Sequence, residues 1–163
     1  MKPRIFVAVV LLLAGLAFAP PAWASIDATA FLGATFKPST TSTRGASLGV
    51  GFVIVAFEFE YCASSEDPAS ATPSLKTGSV NGLLQMPVPI ARMQFYATIG
   101  GGLFREELAG ATETSTAVNA GGGVKITLIG PVRLRIDYRV FKLNGNPLSP
   151  RVQRLYAGVN LKF

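Results

Sequence analysis

Residues 132–140 read Val-Arg-Leu-Arg-Ile-Asp-Tyr-Arg-Val. Successive side chains of a strand point to opposite faces. Val132, Leu134, Ile136, Tyr138 and Val140 would therefore form a wholly apolar face, and Arg133, Arg135, Asp137 and Arg139 a wholly charged one. A helix of 3.6 residues per turn could not separate the two sets. The closing residues repeat the pattern, with Leu155, Ala157, Val159, Leu161 and Phe163 alternating with Arg154, Tyr156, Gly158, Asn160 and Lys162. Val53, Val55, Phe57, Phe59 and Tyr61 oppose Ala56, Glu58 and Glu60. Nearer the start, Ile26, Ala28, Ala30, Leu32, Ala34 and Phe36 alternate with Asp27, Thr29, Gly33 and Thr35.

Outward from these stretches, eight strands are expected at about 26–36, 45–52, 53–62, 76–86, 90–104, 114–128, 131–142 and 153–163. Their connections are of two kinds. Lys37 to Arg44, Ala63 to Leu75, Arg105 to Glu113 and Leu143 to Arg151 are long and rich in Ser, Thr, Pro, Gly and acids. Gly51–Ile54, Met86-Pro87-Val88-Pro89 and Ile129-Gly130-Pro131 are tight. Long and short connections alternating around an even number of ~10-residue strands are the pattern of an antiparallel up-and-down transmembrane β-barrel, with long loops outside the cell and short turns in the periplasm. At Gly51–Ile54 the apolar phase moves from even positions (Leu48, Val50, Phe52) to odd ones (Val53, Val55, Phe57). A hairpin accounts for the switch, and a bulge within one long strand is the alternative.

The N-terminus has a different character. Lys2 and Arg4 precede an apolar run of fifteen residues, Ile5 to Ala19, which Pro20-Pro21 ends; Ala22-Trp23-Ala24 then forms an A-x-A site. That is a secretory signal peptide over residues 1–24, with Ala22 and Ala24 marking the cleavage, and a barrel domain over 25–163. A membrane helix would need about 20 apolar residues without the proline pair. No cysteine follows the cleavage site, so lipoprotein processing is not expected. Loss of Lys2 and Arg4 takes the chain from +6 to 13 minus 9, or +4.

The 163 residues are one domain's worth of chain, with 15% charged residues against roughly 25% in soluble domains. Some surface therefore faces something other than water. There is no histidine, which removes the usual general base and the usual metal ligand. The single Cys62 allows no intramolecular disulfide and no multi-cysteine zinc site.

The chain resembles the small outer-membrane β-barrels of the porin-like, OmpA type. The likeness rests on the signal peptide, the Gly-rich segments Ala97-Thr98-Ile99-Gly100-Gly101-Gly102 and Ala120-Gly121-Gly122-Gly123-Val124, the strand 132–139, and the ending Leu155-Tyr156-Ala157-Gly158-Val159-Asn160-Leu161-Lys162-Phe163. The resemblance implies an outer-membrane location among lipid and lipopolysaccharide. It also implies that a terminal strand carrying Leu155, Val159, Leu161 and Phe163 serves as the signal to the barrel-assembly machinery. The family has no single activity, so fold and compartment are implied more strongly than function.

Several features invite a chemical reading. Neither triple-glycine run is followed by G-x-x-x-x-G-K or a helical pattern, so a phosphate cradle is not expected. Pairing Gly101 with Gly122 would leave both outward, at a thin part of the wall. Cys62 falls on the inward phase with no activating partner and is expected to be inert. Glu66, Asp67, Glu106, Glu107 and Glu113 lack calcium-loop spacing and read as solvated loop charges. Arg92, Lys125, Arg133, Arg135, Arg139, Arg154 and Lys162 share the inward phase with Glu58, Glu60 and Asp137. Eight strands leave a lumen that side chains can fill, so these residues are expected to form an ion-pair core, with Glu58 reaching Arg135 and Glu60 lying near Arg139. With the basic residues inside and no aromatic platform among them, nucleic acid is not an expected partner.

No catalytic residue, cofactor or metal site is expected. The reading is a non-enzymatic outer-membrane barrel with a structural role, or one whose loops meet an unidentified extracellular ligand. Two alternatives stand beside it. One is a lipid A-modifying enzyme, although those the resemblance brings in use a histidine. The other is a soluble periplasmic barrel of the calycin type, which would need its apolar face inside.

Overall fold

The computed structural model describes residues 24–37, 39–67 and 71–163. Ala22 and nearly all of the expected signal peptide lie outside the described residues, and Ala24 opens the first strand. Eight strands form: β1 (Ala24–Phe36), β2 (Thr40–Phe52), β3 (Val55–Ser64), β4 (Ser74–Gln85), β5 (Met93–Leu108), β6 (Ala111–Ile129), β7 (Val132–Leu143) and β8 (Arg151–Lys162). Each pairs antiparallel with the next, and β8 returns to β1, so the sheet closes in sequence order. Mutual hydrogen bonds between Ile26 and Phe163, at 3.0 and 2.9 Å, carry the closure down to the last residue. A closed barrel has no free edge, so every interior strand finds both of its ladder partners.

The switch of apolar phase after Phe52 is a hairpin. Val53 and Ile54 turn the chain, Val53 with φ of 43°, and Phe52 faces Val55 across it. The outer connections are shorter than expected. Ala109 and Gly110 both have positive φ, 49° and 85°, the conformation of a two-residue turn whose twist matches the strands it joins. β5 and β6 therefore run out to Leu108 and Ala111, and most of 105–113 is strand. Thr40 to Arg44 likewise pairs with β1 instead of looping, as β-branched threonines favour.

That earlier turn also moves the glycine register. Gly101 pairs with Val118 and Gly122 with Ala97, not with each other. Two other glycines do clear steric work. Gly45 and Gly158 flank Phe31 on either side, and a Cβ there would come within 2.4 Å and 2.6 Å of Phe31 side-chain atoms. Their absence of side chains lets the Phe31 ring lie in the lumen, stacked on Tyr156 with centroids 3.9 Å apart.

The distribution of polarity is inverted relative to a soluble domain. Leu32, Leu48, Phe57, Phe59, Val80, Ile99 and Val159 are all more than half exposed, while Arg135, Arg139, Arg154 and Asp137 have no exposed surface. Apolar groups gain nothing from facing water, so an exterior of this kind matches hydrocarbon.

Candidate functional site

Alternation along β3, β7 and β8 delivers the charged side chains to the lumen, where three levels can be followed from the end bearing the chain termini. At the first, Asp27 of β1 accepts from Lys125 Nζ at 2.6 Å and pairs with Arg133. Arg133 Nε also donates to Asn160 Oδ1 at 2.7 Å, and Nη1 to Gln94 at 3.3 Å.

The second level centres on Arg135. Its guanidinium takes both oxygens of Glu58 and donates to Asp137 Oδ2 at 2.9 Å and to Tyr96 Oη at 2.8 Å. Arg139 meets Glu58 and Asp137 from the other side, each at 2.9 Å, and Ser47 adds a hydrogen bond to Glu58 at 3.0 Å. At the third, Glu60 lies between Arg139 and Arg154, each at 3.2 Å, and accepts from Tyr156 Oη at 3.0 Å. Arg139 Nη1 is in ion-pair reach of Glu60 without hydrogen-bond geometry.

Four carboxylates, Asp27, Glu58, Glu60 and Asp137, thus meet five cations, Lys125, Arg133, Arg135, Arg139 and Arg154. The network carries one excess positive charge. Removed from water, each of these ions would be costly alone, and shared multidentate contacts are the arrangement that offsets desolvation.

Solved structures share this architecture. The match to Neisserial surface protein A has a TM-score of 0.69 at 19% identity, covering 86% of this chain and 97% of that one. The N-terminal β-barrel domain of Pseudomonas aeruginosa OprF matches at 0.65 and 15% identity, covering 85% and 97%. Ail, the attachment invasion locus protein of Yersinia pestis, solved with the heparin analogue sucrose octasulfate, matches at 0.55 and 11%, covering 86% and 97%. This chain has the fold of the small eight-stranded outer-membrane β-barrels. No family model and no curated protein matches its sequence.

Within that barrel fold, the expected lumen residues divide. Glu58, Glu60, Lys125, Arg133, Arg135, Asp137, Arg139 and Arg154 come together inside. Arg92 does not. Ala91 and Arg92 have φ of 50° and 68° and form the turn before β5, where Arg92 is exposed and donates to the Leu128 carbonyl at 3.0 Å. The residues expected to begin that strand instead complete the β4–β5 connection, so Arg92 has no inward phase to follow. Lys162 keeps the inward phase but stands exposed at the mouth, because β8 ends there.

Glu106 is no solvated loop charge. The short 109–110 turn leaves it on β5, 2% exposed, accepting from the Leu148 amide at 3.0 Å. Asp27, Tyr96 and Tyr156 were missing from the expected network. Asp27 and Tyr156 already stood on the polar faces of their strands, so phase alone could have found them. Tyr96 depends on Gly123, whose missing Cβ leaves room for the phenol: a Cβ would lie 2.5 Å from its oxygen.

The outer end of the lumen is different again. Leu75, Phe104, Ala117, Phe141, Leu143 and Val152 form a buried apolar cluster there, and Arg154 lies 4.5 Å from the Phe141 ring centre. Above it, Lys37 donates to Ser64 Oγ at 3.1 Å and to the Pro73 carbonyl at 2.5 Å. Cys62 is buried beside Thr43, 3.2 Å away. Among the described residues, no group of acids, histidines and cysteines is placed to hold a metal.

Proposed function

We propose that the chain is an exported, non-enzymatic integral protein of the outer membrane, with a structural or surface-interaction role and a lumen closed to solutes by its own ion pairs. The observation that carries this reading is the inverted polarity: an apolar band outside and buried charges inside. A calycin-type soluble barrel needs the reverse. Residues 1–24 act as the cleaved signal peptide, and the terminal strand, with Leu155, Val159, Leu161 and Phe163 on its lipid face, is the segment the assembly machinery reads. The surface role is supported by the similar folds of a neisserial surface protein and of an attachment protein solved with a sulfated sugar.

Cell fractionation followed by unboiled and boiled detergent gels tests the location. A heat-dependent mobility shift in the outer-membrane fraction is expected, and recovery from the soluble periplasm without a shift overturns the reading. Planar-bilayer recordings test closure, with no conductance steps expected. Deleting Phe163 is expected to lower membrane yield without stopping export, and equal yield would remove the assembly role.

A further inference from the structure

Five cations stand on the outward face of the strands, Arg44, Lys76, Arg105, Lys142 and Arg151, all exposed and all toward the ends remote from the chain termini. The register sets Lys76 directly opposite Arg105, and Lys142 directly opposite Arg151. Like charges facing each other across a strand pair repel and destabilise the sheet. Arg44 stands in the same row as Lys76, with only Ala63 between them, about 10 Å away at ordinary strand spacing. Among the described residues, only Arg105 has an acid in ion-pair reach, Glu107 at 4.0 Å, and both members are solvated. Among the described residues, Arg44, Lys76, Lys142 and Arg151 have no acid in ion-pair reach; a multivalent anion would relieve their repulsion.

Arg44 and Lys76 also line an outward groove of about 890 Å³, whose other walls include Tyr61, Ala46, Leu134 and Val159. A second groove of about 480 Å³ shares Ala30, Ala46, Tyr61 and Val159 with the first and continues past Leu48, Phe59 and Leu161. One continuous apolar furrow therefore has two unpaired cations at its outer end. We propose that it holds a phosphorylated, multiply acylated lipid of the outer leaflet, the lipid anchor of lipopolysaccharide. The phosphate sits between Arg44 and Lys76, and the acyl chains lie along Tyr61, Ala46 and Val159. The assignment rests on the outer-membrane reading above. A zwitterionic phospholipid would bring its own cation against the row and leave the repulsion in place.

The test uses the folded barrel in uncharged detergent micelles, with bound lipid read by native mass spectrometry after adding lipid A, phosphatidylcholine or inorganic phosphate. Lipid A is expected to be retained in preference to phosphatidylcholine, and millimolar phosphate alone is expected not to displace it. Arg44→Gln with Lys76→Gln is expected to weaken retention at least about tenfold, since two charge-assisted contacts are lost. Lys142→Gln with Arg151→Gln removes the same net charge away from the groove and is expected to change it less than about twofold.

Equal loss in both double variants would reduce the effect to net charge and overturn the site. So would equal retention of phosphatidylcholine, displacement by phosphate alone, or displacement by sucrose octasulfate at equal concentration, which would point to a soluble polyanion instead. A heat-modifiable outer-membrane barrel that fails to retain lipid A sinks the site alone; a chain found soluble in the periplasm sinks the outer-membrane reading with it.

Discussion

The two lengths of the lumen follow opposite rules. In the middle, inward positions carry Glu58, Arg135, Asp137 and Arg139, and outward ones carry Phe57, Ile136 and Tyr138. At the loop end, on β4, β5, β7 and β8, inward positions carry Leu75, Phe104, Phe141, Leu143 and Val152 beside Glu106, and outward ones carry Lys76, Arg105, Lys142 and Arg151. Polarity reverses along a strand while the alternation continues unbroken. The backbone is indifferent to which face is greasy; the surrounding solvent decides. Where hydrocarbon surrounds the wall the charges go inside, and where water does, the barrel is built like an ordinary soluble domain. The reversal falls at the row through Arg44, Ala63, Lys76 and Arg105, which would then mark the upper boundary of the membrane.

The strongest way to break the comparison is to uncouple the middle of the lumen. Arg135→Gln leaves Glu58 and Asp137 short of a partner and is expected to cost about 3–5 kcal/mol. Glu58→Gln should cost a similar amount. The double variant is expected to fall short of the sum by about 1 kcal/mol or more in reversible urea unfolding from lipid vesicles. Additive losses would mean that the contact between them contributes nothing to stability.

The outer surface gives a smaller and directional effect. Ile99 is 71% exposed on the lipid face, and Ile99→Arg is expected to cost about 2–4 kcal/mol in the same unfolding measurement. Lys76→Leu, at the reversal row, is expected to cost less than about 1 kcal/mol, because interfacial positions tolerate either polarity. Equal costs would remove the boundary.

Why the middle was legible in sequence and the ends were not follows from the same contrast. The strand 132–140 separates charge from apolar surface so completely that its two faces, and the membrane to which one is turned, can be read without neighbours. Extending that rule to the ends fails in two ways. Leu75, Phe104 and Val152 turn inward only because water lies outside, which requires knowing where the bilayer stops. Arg92 and Glu106 depend on where turns fall. Ala91-Arg92 and Ala109-Gly110 adopt positive φ with only one glycine among four residues, so composition gives little sign of them. Side-chain partners across the lumen depend on strand stagger, which alternation does not encode; Tyr96 enters the network only through the space left by Gly123.

At the junction of the two lengths, Phe141 packs in the apolar cluster with the Arg154 guanidinium against its ring. Phe141→Leu keeps most of the volume but removes the aromatic face, so a loss of about 1–2 kcal/mol is expected. Phe141→Tyr, which keeps the ring, should recover the part due to Arg154 if its hydroxyl reaches water at the loop end. No difference between Leu and Tyr would leave Arg154 held by Glu60 and Thr77 without the ring.

The remaining effect is read against pH and belongs to the solvent-side end, at Lys37. Burial pushes its amine down from the ordinary 10.5 to about 8, with nearby Glu106 opposing the shift and Arg154 reinforcing it. Below pH 8 the amine is charged in both folded and unfolded chains, and the folded barrel bears the full desolvation cost. Between pH 8 and 10.5 the unfolded chain binds the proton more tightly, so this group's contribution to stability rises with pH across that window. The neutral amine still donates to Ser64 and Pro73 and gives up its attraction to Glu106, which burial outweighs. Stability measured from pH 7.5 to 10 is therefore expected to climb more in the native chain than in Lys37→Met, whose difference curve isolates this one group from the tyrosines and Cys62. Parallel curves would show that Lys37 is solvated as any surface lysine is, and that the loop end lets in more water than its hydrogen bonds imply.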